Sequence, residues 1–533
     1  MSIKRIVAGF MCLALCFGLL SCSKGKTDPD PKTYDKLCDE LWAALESELT
    51  EDELVDFGHW YMLAVYGVDA KDVICENTVK FIDAHKEQLD AIMDVDKNDS
   101  SVLDELETIK KNDDEGLFKD GRDAEGDGPE DPAENESNGG RENWMGSGYD
   151  SMKSGLPDNR LVCHVSLPGS HASLARDMEY VSIKQVPWIF RSLVGRIVVK
   201  AAKAQFYTMY WQLKYGVRAF DFRYITYENS SKVNQLRGSN QLSVKLETAP
   251  SLGTDLIVPI PFAAQALVAD GLEEIAKFVE SHRSEFVIVM MTAEDGEDNT
   301  EKWAQRALNE VKNRHNGLFI DFRADMRVRD ARGHVIVIWE NDGEVLDHSI
   351  PQRFWASMSG KEATTKTDSI CTWNQSKGEW VKAADLWVQS EEALGIAMDD
   401  QSRTGEGHKK LNTMKNMMSD YKNAVMGPGV NAPVPIWFEN STYCYFYMYV
   451  PGLFLKKMPL PYANIAYSTH YFNYYAYPFL EKWNGPAGIV LISYSARNWY
   501  IWRAPGAAYC KAYAANMVDN VITLNARYKM PYE

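Results

Sequence analysis

The stretch that decides the fold reads Leu161-Val-Cys-His-Val-Ser-Leu-Pro-Gly-Ser-His-Ala-Ser173. An apolar, strand-like segment stops at Pro168-Gly169, and His171 lies on the turn that follows. A later segment reads Gln212-Leu-Lys-Tyr-Gly-Val-Arg-Ala-Phe-Asp-Phe-Arg223, and it places Asp221 and Arg223 on the same side of an alternating strand. A histidine at one strand end and a guanidinium on the next supply a proton acceptor and a fixed cation. These two groups are what a phosphodiester site needs.

Two further segments follow in order, Phe278-Val-Glu-Ser-His-Arg-Ser-Glu-Phe-Val-Ile-Val289 and Asp325-Met-Arg-Val-Arg-Asp-Ala-Arg-Gly-His-Val-Ile-Val-Ile338. With the first two, they resemble the X region of the phosphatidylinositol-specific phospholipase C superfamily. That region has an apolar strand ending in Pro-Gly-Thr/Ser-His and then Gln-Leu-x-x-Gly-x-Arg-x-x-Asp-x-Arg. The resemblance implies a distorted TIM-type (β/α) barrel over residues 144–533, with its chemistry at the carboxyl ends of the strands.

The hydrophobic pattern independently predicts an α/β fold for residues 144–533, because short apolar strands alternate with helical segments. The pattern alone does not separate a barrel from a doubly wound sheet. The candidate strands are Leu161–Leu167, Val217–Ile225, Phe286–Thr292, His334–Glu340, Val434–Glu439 and Gly488–Ser495, and the clearest helices are Ala263–Ser281 and Glu301–Arg314.

The resemblance also implies roles for the site residues. His171 would be the general base that deprotonates the inositol 2-hydroxyl for attack on phosphorus. Arg223 would clamp the phosphate, and Asp221 would support it. Calcium-dependent members of the superfamily carry a carboxylate where this chain has Arg223. The arginine therefore indicates the metal-independent bacterial type, for which we expect no metal ion and no cofactor.

Several positions depart from that pattern. Active relatives have Asp or Asn where this chain has Ala172, and a carboxylate that orients the histidine where it has Ser493. The second histidine, the general acid, is missing from residues 240–249, where Lys245 or Glu247 is the nearest replacement acid. Loss of a general acid costs about 10²–10⁴ in rate. The alternative is therefore an inactive barrel that binds a lipid headgroup or a glycan, to which the many aromatic residues after Ile436 would contribute.

Four carboxylates stand at the ends of candidate strands and would lie on one rim of a barrel: Asp221, Glu294, Glu340 and Glu439. Converging carboxylates can bind a divalent cation. Arg223 among them opposes such a site, and carboxylates commonly cap strand ends. The favoured interpretation is therefore a rim without metal.

The amino terminus has the features of an export signal. Lys4 and Arg5 precede an apolar run from Ile6 to Leu20, and Leu19-Leu-Ser-Cys22 resembles the lipobox of bacterial lipoproteins. We expect residues 1–21 to be a signal peptide, Cys22 to carry the lipid, and residues 22–33 to be a tether. The sequence thus predicts an exported, membrane-anchored lipoprotein on the periplasmic face or the cell surface.

Residues 34–111 show helical periodicity and predict a small all-α bundle, in which Leu41, Leu45 and Leu49 lie on one face.

Residues 112–143 follow as a linker. Between Asn112 and Glu142, twelve acidic and three basic residues give a charge of −9, half of the net −18 of the chain. That composition cannot bury a core and predicts disorder. The negative charge also argues against nucleic acid as a partner. The expected partners are a phospholipid or glycan phosphodiester and, through the lipid on Cys22, the membrane.

Overall fold

The computed structural model describes residues 31–49, 76–96, 140–176, 204–228, 234–246, 256–294, 300–340, 350–354, 364–389, 400–442, 476–493 and 514–533, with small gaps, and some further positions between these ranges. They divide into two compact units. The first contains the helices before residue 100, and the second contains the sheet.

The described strands of the second unit form a closed barrel. The strands of the ring are β1 Leu167–Ser170, β2 Ala219–Glu228, β5 Val287–Ala293, β7 Val335–Glu340, β8 Gln352–Phe354, β9 Thr364–Asn374, β10 Glu379–Gln389, β11 Ile436–Ser441 and β13 Ile489–Ile492. They run in the order β1-β13-β11-β10-β9-β8-β7-β5-β2, and pairing of β2 with β1 closes the ring. Neighbours are parallel except around β9, which is antiparallel to both β8 and β10. The predicted distorted α/β barrel is therefore confirmed.

The remaining strands lie outside this ring: β3 Asn234–Leu246, β4 Leu256–Leu267, β6 Phe319–Ile320, β12 Tyr447–Met448, β14 Trp499–Ile501 and β15 Cys510–Ala512. The helices of the barrel unit are Met209–Lys214, Val268–Ser281, Thr300–Arg314, Val328–Ala331, Asp400–Met426 and Ala514–Arg527. A continuous apolar core joins the barrel strands to these helices. Within the described part of the chain, no helix is both long and apolar enough to cross a bilayer.

The predicted strand Leu161–Leu167 is wrong. Leu161 makes a single bridge to Arg327, Val162–His164 form a 3₁₀ turn, and β1 starts only at Leu167. Burial explains the error, because residues 161–167 are all buried and their apolar run is not specific to a strand. Pro168 and Gly169 lie inside β1, where an added Cβ on Gly169 would approach Leu491 Cδ2 to 2.8 Å.

One boundary and one hairpin also differ from the predictions. Residues 263–267 end β4 instead of starting the next helix, which spans Val268–Ser281. The hairpin of β9 and β10 has no counterpart in the predicted strands. Its turn is built by Asn374, whose side-chain oxygen accepts from the backbone N–H groups of Ser376 and Lys377, and by Gly378 at φ 64°.

The amino-terminal unit contains the helices Pro31–Glu48, Glu76–Ala84 and Lys86–Asp96. Leu41 and Leu45 are fully buried, and the rings of Phe57 and Phe81 meet edge to face at 5.7 Å. Residues 97–111 of the predicted bundle, the predicted signal peptide, Cys22 and most of the predicted linker lie outside the described residues. Arg141–Asn143, at the end of the predicted linker, form a 3₁₀ turn of the barrel unit.

Candidate active site

His171 lies immediately beyond the carboxyl end of β1. Its backbone N–H donates to Ile492 O at 3.2 Å, and its carbonyl oxygen accepts from Gln205 Nε2 at 2.7 Å. Its ring Nδ1 is 3.1 Å from Ser493 Oγ, at the end of the neighbouring strand β13. The backbone and the ring are therefore both held in place, and the ring is held by the hydroxyl that replaces the carboxylate of the superfamily pattern.

Asp221 joins the histidine turn to Arg223. Its Oδ2 accepts from the backbone N–H of Ala172 at 3.2 Å and from Arg223 Nε at 2.9 Å. Its carbonyl oxygen accepts from Ser173 N at 2.9 Å. Asp221 thus holds both the backbone that follows the predicted base and the side chain of the predicted phosphate ligand.

Arg223 also contacts a second carboxylate. Its Nη1 donates to Glu294 Oε1 at 3.3 Å, and Ser239 Oγ donates to Glu294 Oε2 at 2.6 Å. Burial raises the pKa of Glu294, although the Arg223 guanidinium acts in the opposite direction. The Arg223 side chain remains 15% exposed.

The other two predicted rim carboxylates also lie at strand ends. Glu340 ends β7 and accepts from Thr292 Oγ1 at 2.9 Å. Glu439, near the end of β11, accepts from Arg353 Nη1 of β8 at 2.7 Å. Burial raises the pKa of Glu439, and the negative charges of Asp221 and Glu340 add to that effect. Glu294 thus follows the last residue of β5, Glu340 ends β7 and Glu439 lies near the end of β11, whereas Asp221 is the third residue of β2.

Burial and two cations shift the pKa of His171. The imidazole is 2% exposed, and burial lowers its pKa well below the usual value. The charges of Arg223 and Lys410 lower it further. The ring is consequently neutral near pH 7, which is the protonation state that a general base requires.

Arg353 and Lys410 were not found by sequence reasoning. Arg353 lies on a strand of three residues, too short to show a period. Lys410 follows Lys409 in a helix, where a lysine pair ordinarily indicates a solvated surface. Only the three-dimensional arrangement places either residue with the rim.

The side chains of the two predicted replacement acids lie outside what the structure describes. Lys245 lies on β3 with its backbone paired to Ile257 of β4, beyond the part of β3 that pairs with β2. Glu247 lies outside the described residues. Among the side chains that the structure describes, no group of three or more His, Cys, Asp or Glu is arranged to hold a metal ion.

Solved structures of bacterial phosphatidylinositol-specific phospholipases C are similar to this chain. A variant of the Staphylococcus aureus enzyme matches with 15% identity over 72% of this chain and 99% of that one, at a TM-score of 0.43. The Listeria monocytogenes enzyme matches with 13% identity over 72% and 98%, at a TM-score of 0.38. The similarity to these solved structures concerns the fold alone. No family model and no curated protein matches the chain.

Proposed function

We propose that the barrel mouth binds and cleaves a phosphodiester, with His171 as the general base and Arg223 as the phosphate ligand. The observation that carries this proposal is the link His171–Ala172–Asp221–Arg223, in which one carboxylate accepts from the histidine turn at 3.2 Å and from the guanidinium at 2.9 Å. The four X-region segments of the sequence support the same assignment.

The chemistry follows from the protonation states. In the tautomer whose Nδ1–H donates to Ser493 Oγ, a neutral His171 carries its lone pair on Nε2, and this nitrogen takes the proton of a substrate hydroxyl. That hydroxyl oxygen then forms a bond to phosphorus as the bond to the leaving oxygen breaks, and the leaving oxygen takes a proton from solvent water. The Arg223 guanidinium offsets the negative charge that develops on the phosphoryl oxygens. A phospholipid or glycan phosphodiester is the proposed substrate class.

Two single variants test the proposal. His171→Ala and Arg223→Ala should each lower the release of a phosphorylated headgroup from phosphatidylinositol, a glycosylphosphatidylinositol or a related diester by at least ~10²-fold. Phosphorus NMR measures the release. The matched controls are His315→Ala and Arg314→Ala, which remove an ion-paired histidine and an exposed arginine far along the helical layer. Equal activity in the wild type and in both site variants would overturn the proposal.

A second candidate function is binding without turnover. The observation that favours it is the pairing of Arg223 with both Asp221 and Glu294. These ion pairs use part of the hydrogen-bonding capacity with which the guanidinium would bind phosphate. Ser493 in place of a carboxylate favours it too, because a hydroxyl orients an imidazole less strongly than a carboxylate does. This candidate predicts no release from the whole diester panel, together with saturable binding of headgroup-bearing vesicles that Arg223→Ala weakens.

We also propose that the chain is exported and held at a membrane by a lipid on Cys22. The support is the sequence alone, a charged start and an apolar run that end at Leu-Ser-Cys22. Cys22→Ser should move the full-length protein from the membrane fraction to the soluble fraction of the expressing bacterium and abolish palmitate labelling. Labelling that persists in Cys22→Ser would contradict the assignment, and Cys38→Ser, which alters a buried thiol, is the matched control.

A further inference from the structure

Gln205 is a buried glutamine that contacts the histidine turn from outside the sequence segments of the phospholipase pattern. The residue is 1% exposed, so its carboxamide must find hydrogen-bond partners within the protein. Its Nε2 donates to His171 O at 2.7 Å and to Ile492 O at 3.3 Å. Both partners are carbonyl oxygens, which only accept, so the amide nitrogen is the atom that faces them. One side chain thus joins the ends of two neighbouring strands.

The two carbonyl groups belong to the strand ends that carry the proposed base and its ring partner. Ser170 and Ile492 are the last paired residues of β1 and β13, and the chain continues from them directly to His171 and Ser493. Ile492 O also accepts from the His171 N–H at 3.2 Å. The amide of Gln205 therefore extends the hydrogen bonding of the two strands by one step, at the level where the imidazole meets Ser493 Oγ.

Gln205 is itself anchored to the histidine turn. Its backbone N–H donates to Ala175 O at 3.0 Å, and the N–H of Ala204 donates to the same oxygen at 2.9 Å. The N–H of Ala175 donates in turn to Ala172 O at 2.8 Å. Because both its main chain and its side chain are bonded to residues 171–175, the Gln205 amide cannot shift unless the turn moves with it.

The contact between the imidazole and Ser493 makes this clamp important. His171 Nδ1 is 3.1 Å from Ser493 Oγ, and a neutral hydroxyl orients an imidazole less strongly than a carboxylate does. A hydroxyl also rotates about its own bond and accepts from a range of directions. The direction of the ring consequently depends more on where the backbone of His171 lies relative to that of Ser493, and Gln205 fixes that relation.

We propose that Gln205 is a positioning residue for the reaction at the barrel mouth. By holding His171 O and Ile492 O together, it keeps His171 Nδ1 on Ser493 Oγ and leaves Nε2 directed at the substrate hydroxyl. The inference rests on the proposed function and concerns its proton-transfer step. It assigns to Gln205 no part in binding the phosphate.

Kinetics of the full-length protein separate positioning from substrate binding. Gln205→Met keeps the length of the side chain and removes both donors. It should lower kcat for headgroup release from phosphatidylinositol by about 10- to 100-fold and change KM by less than about twofold. Gln352→Met is the matched control and should change neither quantity. Gln352 is 3% exposed and donates to Ile350 O at 3.3 Å, on a strand, β8, that is not a neighbour of β1 in the ring.

The tautomer of the His171 imidazole is a second readout, which a merely structural role would not change and which needs no turnover. Nitrogen NMR of histidine-labelled protein reports it, and the loss of signals in His171→Ala assigns the ring nitrogens. Wild type and Gln352→Met should show a single neutral tautomer. In Gln205→Met the chemical shifts of the two ring nitrogens should move toward each other, because Nδ1–H no longer has a fixed acceptor and the other tautomer becomes populated.

A conservative variant, Gln205→Glu, completes the test. A carboxyl group buried between two carbonyl oxygens keeps its proton and can donate to one of them. This variant should therefore lie between the wild type and Gln205→Met in both readouts, and it replaces Gln205→Met if that variant fails to fold. A folded Gln205→Met with the kcat and the single tautomer of the wild type would overturn the inference, as would Gln205→Glu if it alone folds. Absent cleavage in the wild type would instead overturn the proposed function, and the tautomer would still decide the role of Gln205.

Discussion

Ala172 has an uncommon backbone conformation for its residue type. Its φ is 42°, in the left-handed region, and it is the only residue other than glycine with positive φ among those that the structure describes. The conformation turns the Ala172 N–H toward Asp221 Oδ2, and thereby joins the histidine turn to the carboxylate that holds Arg223. Asp and Asn, which the superfamily pattern has here, tolerate this region better than alanine does. The site therefore keeps a geometry that its present residue disfavours.

The strain at Ala172 predicts a difference between two glycine substitutions. Ala172→Gly and Ala175→Gly each delete a fully buried methyl group and add the same freedom to the unfolded chain. Only the first relieves left-handed strain, which is about 1–2 kcal/mol for an L-residue. Ala172→Gly should therefore be more stable than Ala175→Gly by about 1 kcal/mol or more in urea unfolding. Equal stabilities would show that the turn is not strained.

A buried ion pair fixes the amino ends of β2 and β5. Arg218 and Glu285 are both fully buried, and the guanidinium lies 2.9 Å from the carboxylate. Arg218 also donates to the carbonyl oxygens of Leu213 and Glu142, and Glu285 accepts from the N–H groups of Met145 and Gly146. The arginine of the Gly-x-Arg segment thus has a structural role at the end of the barrel opposite the site.

The buried pair predicts that the losses of unfolding free energy on substituting Arg218 and Glu285 are strongly non-additive. Arg218→Met leaves Glu285 buried without its cation and should destabilise the protein by about 3–5 kcal/mol. Glu285→Gln should do the same to Arg218. The double variant should lose less stability than the sum of the two single losses, because neither charge is then buried alone. Urea unfolding of the four proteins measures the coupling, and additive losses would contradict this account.

A buried histidine, His164, connects the segment that leads into β1 to two distant parts of the chain. His164 Nε2 is 2.6 Å from Val434 O, and Nδ1 is 2.7 Å from Tyr532 Oη. Because a carbonyl oxygen only accepts, Nε2 carries the proton and Nδ1 accepts from the tyrosine. Burial lowers the pKa of His164 to about 4. The fold therefore holds this imidazole in its neutral form.

This histidine predicts a loss of stability in acid. Unfolded His164 binds a proton below its ordinary pKa of 6.5, whereas folded His164 binds it only near pH 4. Its contribution to the free energy of unfolding is thus complete above pH 6.5 and lost as the pH falls to about 4, a change of about 3 kcal/mol. His164→Gln should flatten the dependence of stability on pH over that window. His315→Gln is the control, since ion pairing raises the pKa of His315 and its stabilisation is complete below pH 6.5. An unchanged slope in His164→Gln would refute the prediction.

The barrel could be predicted because its strands follow from local patterns. The apolar segments before His171, Glu294 and Glu340 are strands in the structure, and the carboxyl ends of parallel strands share one edge of a closed sheet. Arg223 lies inside β2, which continues to Glu228. The β9–β10 hairpin could not be predicted, because its strands alternate weakly and carry mostly half-buried side chains. Arg353 and Lys410 escaped prediction for a related reason. The position of Arg353 depends on the register of a short strand, and that of Lys410 depends on the length of a helix. Local periodicity in the sequence determines neither quantity.

The closure of the ring has a consequence for how this chain matures. The first strand is completed only by a partner that is synthesised roughly 320 residues later, since Leu167 pairs with Ile489. Until that distant segment is available, one edge of the nascent sheet stays open and able to pair wrongly. Contacts so remote in sequence also slow folding. A polypeptide that emerges gradually, from the ribosome or through a translocation channel, would therefore need chaperone protection until nearly its entire length has appeared.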